Sequence, residues 1–135
     1  MSPEPQTAND RITSPRSARI RAAAKLTRRS WRAKEGRFLA EGPQSVREAL
    51  VAAAERAGRV RVRVFEVFVT DEARERHTDL LDLAARARVR VHTIAAELVP
   101  EISDTVASQG VIAVCATLDV PLTEVVTGDS RLVVV

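Results

Sequence analysis

Arg21, Lys25, Arg28, Arg29 and Arg32 are the residues whose type and spacing point first to chemistry. Stepped at about 100° per residue, they fall within an arc of roughly 100° on one helical face. Ile20, Ala23, Ala24, Thr27 and Trp31 fall on the opposite side. A helix here would dock by one face and present cations with the other. The chemistry open to such an arc is electrostatic capture of phosphate oxygens. A merely solvated charged face is the plain alternative. Against it, like charges this close repel by roughly 0.2–0.5 kcal/mol per pair, and no acid four residues away relieves them.

The surrounding stretch, Arg11–Arg37, holds ten Lys/Arg against one acid, Glu35. The remaining residues hold eleven Lys/Arg against seventeen acids, so a net charge of +3 conceals a +9 segment on a −6 body. That asymmetry points to a polyanionic partner. Arginine outnumbers lysine nineteen to two, and its planar fork suits phosphates and guanine edges. Ser14 can cap a helix and Pro15 suits its first position, which places the helix start there. The aromatics are Trp31, Phe38, Phe65 and Phe68, with no tyrosine. So few argue against a base-stacking platform of the single-strand-binding kind, and binding is expected to rest on shape and phosphates.

Other groups qualify less well. Glu41-Gly42-Pro43-Gln44 reads as a strand-to-helix turn whose free N–H groups suit a phosphate or simple capping. Ser103-Asp104-Thr105 and Gln109-Gly110 stand just ahead of a strand, at a sheet edge where ligands bind, or form ordinary turns. His77, among charged residues at a helix start, is expected to be solvated. His92 is expected at an exposed strand position. Cys115 lies in an apolar strand with no neighbouring cation, which suits a small core residue rather than a nucleophile. The five glycines are scattered and make no phosphate loop. One cysteine and two distant histidines cannot build a zinc site, and a lone cysteine fits a reducing, cytoplasmic setting. No apolar run approaches the roughly 18 residues of a membrane span, and no signal sequence is seen at the N-terminus.

The elements that must position these groups follow from periodicity. Phe38–Ala40 reads as a short buried strand. Pro43–Ala57 reads as a helix with Val46, Ala49, Leu50, Ala53 and Ala57 as its stripe and Gly58 as its stop. Alternation slips at Phe65, which predicts a strand over Val64–Thr70 preceded by an irregular arm. Asp71 or Thr78 can cap the next helix, with Leu80, Leu81, Leu83, Ala84 and Ala87 facing inward. Val89–Ile94 is strand-like, and Ala96–Ile102 is a shorter helix weakened by Pro100. Val111–Thr117 is expected as a central strand buried on both faces. Asp119–Ser130 reads as a linker and Arg131–Val135 as the opening of another strand. The order is a basic helix, then β-α-β-α-β-α-β, a sheet with helices on both faces. The domain reading is a disordered tail over 1–13, a domain over 14–118, and a linker with a strand over 119–135. Ending inside so strand-like a segment suggests a domain cut from a longer protein.

These residues resemble a known family. Phe38-Leu39-Ala40-Glu41-Gly42 followed by Val46-Arg47-Glu48-Ala49-Leu50 resembles the "F-L-x-E-G…V-x-E-A-L" opening of SpoU/TrmH-family RNA 2′-O-ribose methyltransferases. Ser103-Asp104-Thr105 with Gln109-Gly110-Val111-Ile112-Ala113-Val114 resembles that family's "S-D-T-x-x-P-Q-G-x-x-A-V". Ser108 stands where the family carries proline. Lys25-Leu26, Arg28-Arg29 and Arg37-Phe38 match its basic lead-in helix. The resemblance spans about Ser14 to Thr117. It implies an α/β/α sandwich like the kink-turn-binding ribosomal proteins, gripping structured RNA, either rRNA or tRNA. It also implies a following knotted domain that binds S-adenosylmethionine, dimerises and transfers the methyl group, with Leu132–Val135 as its first strand. No catalytic or cofactor residue is expected within this chain, which alone would be a monomer. Expected RNA contacts are Arg21, Lys25, Arg28, Arg29 and Arg32 on the helix, and Arg37, Glu41, Gln44, Asp104 and Gln109 at the strand ends. Glu41 and Asp104 suit equally a structural role as acceptors of backbone N–H groups. The rival readings are a stand-alone ribosomal-type RNA-binding protein and a protein-interaction module whose basic helix meets an acidic partner.

Overall fold

The computed structural model describes residues 11–55, 61–103 and 108–118. Gly58, Asp104, the linker and the final strand-like segment lie outside them. The elements are α1 (Ala18–Lys25), α2 (Arg29–Glu35), β1 (Phe38–Glu41), α3 (Pro43–Glu55), β2 (Arg61–Val69), α4 (Asp71–Arg76), α5 (Thr78–Ala87), β3 (Arg90–Thr93), a 3₁₀ turn (Ala96–Leu98) running into α6 (Val99–Ile102), and β4 (Val111–Leu118).

Four strands form one mixed sheet in the order β1-β4-β2-β3. β4 runs antiparallel to β1 and to β2, and β2 runs parallel to β3 through α4 and α5. The apolar run that makes β4 explains its place. Val111–Ala116 are all buried, which only an inner strand with both faces covered permits. Alternation then divides the core in two. Val111, Ala113 and Cys115 face α3, α4 and α5, meeting Val46, Leu50, Ala73, Leu80 and Ala84. Ile112 and Val114 face α1 and α6, meeting Ile20, Ala23, Leu98 and Ile102. Burial pushes the Cys115 thiol up to about 12, so it stays a protonated core group at neutral pH.

Several expectations are corrected. The arm ahead of Val64 belongs to β2, since Arg61, Val62 and Arg63 pair with Leu118, Thr117 and Ala116. The slip in alternation is a β-bulge, with Val64 opposite Cys115 and Glu66 opposite Val114. His92, expected in solvent, is 5% exposed, and its Nε2 lies 3.0 Å from Glu66 Oε1. His77 is also half-buried rather than solvated, between α4 and α5. Asp71 and Thr78 open these two short helices instead of capping one, and the Thr70 side chain caps α4 by accepting from Ala73 N–H. Ile12, assigned to the tail from sequence, makes a parallel bridge to Ile94. No described helix is long and apolar enough to cross a membrane.

Candidate nucleic-acid interface

The basic stretch is not one helix. Ser14 makes a turn of its own, its Oγ accepting from Arg16 N–H, and α1 begins only at Ala18. Ile20, Ala23 and Leu26, at 1%, 1% and 3% exposure, carry α1 into the second core. Fully burying Ile20 and Leu26 contributes about 2 kcal/mol each. The helix then stops. Leu26, Thr27 and Arg28 N–H bond three residues back, the Thr27 hydroxyl takes the Ala24 carbonyl at 2.7 Å, and Arg28 is extended. α2 follows and ends at Gly36, whose φ of 71° suits a residue without Cβ.

The break redistributes the expected arc. Arg21 and Lys25 stand on α1, Arg28 at the junction, and Arg29 and Arg32 on α2. Arg21, Lys25, Arg28 and Arg29 are exposed. Arg32 is half-buried, and its Nη1 donates to the Leu26 carbonyl at 3.0 Å, which ties α2 to the end of α1. Trp31, expected on the docking side, lies in neither core cluster. Instead Lys25 Nζ and Lys34 Nζ stand over its ring at 4.6 and 4.8 Å from the centroid. Both lysines of the chain are thus held on its one tryptophan by cation–π attraction.

Acids do not answer this charge. Arg11, Arg19, Arg47 and Arg76 pair with Asp71, Glu66, Asp79 and Glu72. Among the described residues, no Lys or Arg from Arg21 to Arg37 has a carboxylate partner.

The strand-end residues separate into two places. Glu41, at the end of β1, accepts from the buried Ser103 hydroxyl at 2.7 Å. Gln44, at the start of α3, is exposed and donates to Glu48 at 3.0 Å. Gln109 is exposed with φ of 47°, immediately before Gly110 and β4. Since Glu41 pairs with Ile112, these three share one sheet end. Arg37 is at the other end of β1, where Phe38 pairs with Cys115. Its guanidinium lies 3.9 Å from the Phe65 ring centroid, over which Arg63 also stands at 4.9 Å. Asp104 lies outside the described residues. Ser108 is 2% exposed, and Gly110 N–H points at its Oγ at 3.5 Å.

α1 is clamped over the sheet by a charged cluster that sequence reading missed. Glu66 Oε1 accepts from Arg19 Nη1 at 2.7 Å and lies 3.0 Å from His92 Nε2. Burial alone would raise the Glu66 carboxyl, but the hydrogen bonds from His92 and Arg19 outweigh it and hold the group below its ordinary value of 4.5. Its stabilising contribution is therefore full above about 4.5 and is lost as pH falls through the lower folded value. Arg90, its cross-strand neighbour on β3, leaves that sign unchanged. Glu66→Gln should cost roughly 1–2 kcal/mol at neutral pH by denaturant midpoint. It should cost progressively less below pH 4.5, and an equal loss at both ends would contradict the clamp.

The chain matches the family model of the MRM3-like substrate-binding domain over residues 17–113. It belongs to this family. The expectation of a substrate-binding domain is thereby met. No curated protein matches the chain. Among solved structures, a crystal structure of an RNA 2′-O ribose methyltransferase aligns over 78% of this chain and 37% of its own, with TM-score 0.56 and 24% identity. An rRNA methyltransferase from Sinorhizobium meliloti aligns over 83% and 38%, with TM-score 0.57 and 14% identity. The AdoMet-bound rRNA methyltransferase from the same organism aligns over 84% and 39%, with TM-score 0.59 and 14% identity. At such identities the likeness is one of fold. The MRM3-like domain spans less than two fifths of each of these chains.

Proposed function

We propose that this MRM3-like domain grips structured RNA, rRNA or tRNA, for an S-adenosylmethionine-dependent RNA 2′-O-ribose methyltransferase. The observation that carries the reading is the run of cations from Arg21 to Arg37 with no carboxylate partner among the described residues. Keeping like charges together without acids costs stability, which phosphates would restore. Arg21, Lys25, Arg28 and Arg29 are the primary phosphate contacts. Arg32 supports them by holding α2 to α1, and it reaches phosphate with whatever donors the Leu26 carbonyl leaves free. Glu41, Gln44 and Gln109 form a second contact at the sheet end, with Glu41 positioned by Ser103, and Asp104, outside the described residues, is read as a further RNA contact. Arg37 contacts RNA at the opposite end. The likeness to kink-turn-binding ribosomal proteins fits a sheet covered on both faces.

Methyl transfer, cofactor binding and homodimerisation are assigned by this reading to a separate C-terminal methyltransferase domain, and the setting is cytoplasmic. No residue here is given a role in any of them. The solved neighbours, in which this fold fills only part of the chain, support that division.

The test is a titration of a labelled rRNA hairpin with the 135-residue chain, competed by polyglutamate of equal charge. Affinity for the hairpin should fall by orders of magnitude between about 50 and 200 mM salt. Hairpin binding no tighter than polyglutamate binding would return the basic stretch to a protein-interaction role.

A further inference from the structure

The bulge in β2 builds something that the cation arc does not explain. A bulge sets two consecutive residues against one partner and re-aims a side chain, and it recurs beside functional sites. Here Phe65 and Glu66 both serve the α1 side of the sheet. Phe65 packs at the margin of the second core, while Glu66 meets Arg19 and His92. The two neighbours have opposite fates. Glu66 is satisfied by Arg19 and His92. Phe65 is half-buried and carries two guanidinium groups, from Arg37 and Arg63, at 3.9 and 4.9 Å. Both arginines are exposed, and neither has a carboxylate partner among the described residues. Their strand positions explain why they meet there. Phe38 and Val64 both pair with Cys115, so Arg37 and Arg63 approach the same row of β4 from either side.

A guanidinium laid on an aromatic ring is a planar cation held at a fixed site. It is suited to stacking on a nucleobase while binding the adjacent phosphate. The four aromatics argue against a row of stacked bases, and the fold supplies a single ring with two arginines instead. We propose that Arg37, Arg63 and Phe65 form a stacking site for one unpaired nucleotide of the RNA, separate from the phosphate-binding face of α1 and α2. The occupant is RNA because the site joins unpaired positive charge with planar stacking surface, which an acidic peptide would use only in its charge. This inference rests on the RNA reading above and adds to it a preference for unpaired bases.

The test compares two probes, an RNA hairpin with a single-stranded loop and a fully paired RNA duplex of equal length, on wild type, Phe65→Leu, Arg63→Lys and Arg63→Gln. Wild type should prefer the looped probe. Phe65→Leu and Arg63→Lys should weaken loop binding by roughly fivefold or more, in line with the loss of one stacked base. Both should keep duplex affinity and salt slope, because the phosphate-binding charge is unchanged. Arg63→Gln should weaken loop binding similarly and lower the salt slope by about one contact. Full loop affinity in Arg63→Lys and Arg63→Gln would overturn the stacking site even if Phe65→Leu failed to fold. Wild type that binds neither probe would overturn the RNA reading itself. Binding to both probes with equal strength would overturn only the stacking site.

Discussion

Gly110→Ala should lose roughly 3 kcal/mol of folding stability, from about 1–2 kcal/mol for an L side chain in the left-handed region and a similar cost of overpacking. Gly110 has φ of 79°, and an added Cβ would stand 2.6 Å from Thr70 Oγ1 and 3.3 Å from its Cγ2. Thr70 cannot easily move. It is 9% exposed and branched at Cβ, and its hydroxyl accepts from Ala73 N–H at 3.2 Å to cap α4. Its own N–H donates to the Gly110 carbonyl at 3.1 Å. The turn, the end of β2 and the start of α4 are therefore locked together at the sheet end that holds Glu41 and Gln109. Thermal unfolding should begin roughly 10 °C lower in this variant. Adding Thr70→Ala should return part of the loss, because relief of the clash exceeds the roughly 1 kcal/mol cap. A Gly110→Ala protein within 0.5 kcal/mol of wild type, well below the expected cost, would contradict this turn.

Sheet and helices were legible where one residue's environment is decided by its close neighbours. Val111–Ala116 are apolar at every position, so a buried central strand was the only reading, and Cys115 followed as a core thiol. Val46 and Leu50 announced the buried face of α3 by their spacing. The failures share a different cause. His92 alternates correctly along its strand, but its burial depends on Glu66, 26 residues earlier. The slip at Phe65 was visible, yet alternation cannot distinguish the end of a strand from a bulge inside one. That distinction rests on the register with β4. Nor did Leu26-Thr27-Arg28 contain a glycine or proline to mark the break between α1 and α2. It depends on Thr27 taking a backbone carbonyl and on Arg32 reaching Leu26 O. The cations were read as one arc, which assumed a continuous helix, whereas they are divided between α1, the junction and α2.

The larger functional effect should come from removing the exposed, unpaired charge of the two short helices. In Arg21→Gln/Arg28→Gln/Arg29→Gln, three exposed side chains change, and none makes a salt bridge among the described residues. The fold should persist, with circular dichroism and melting close to wild type, because surface changes of this kind usually stay within about 0.5 kcal/mol. RNA affinity should fall by roughly a hundredfold or more near 0.1 M salt, since each phosphate contact contributes about 0.9 to the slope of log affinity against log salt. The decisive measurement is that slope, taken on the rRNA hairpin for wild type and the triple variant. A slope shallower by about 2.7 units is the expected result. An unchanged slope with unchanged affinity would show that α1 and α2 do not hold the RNA.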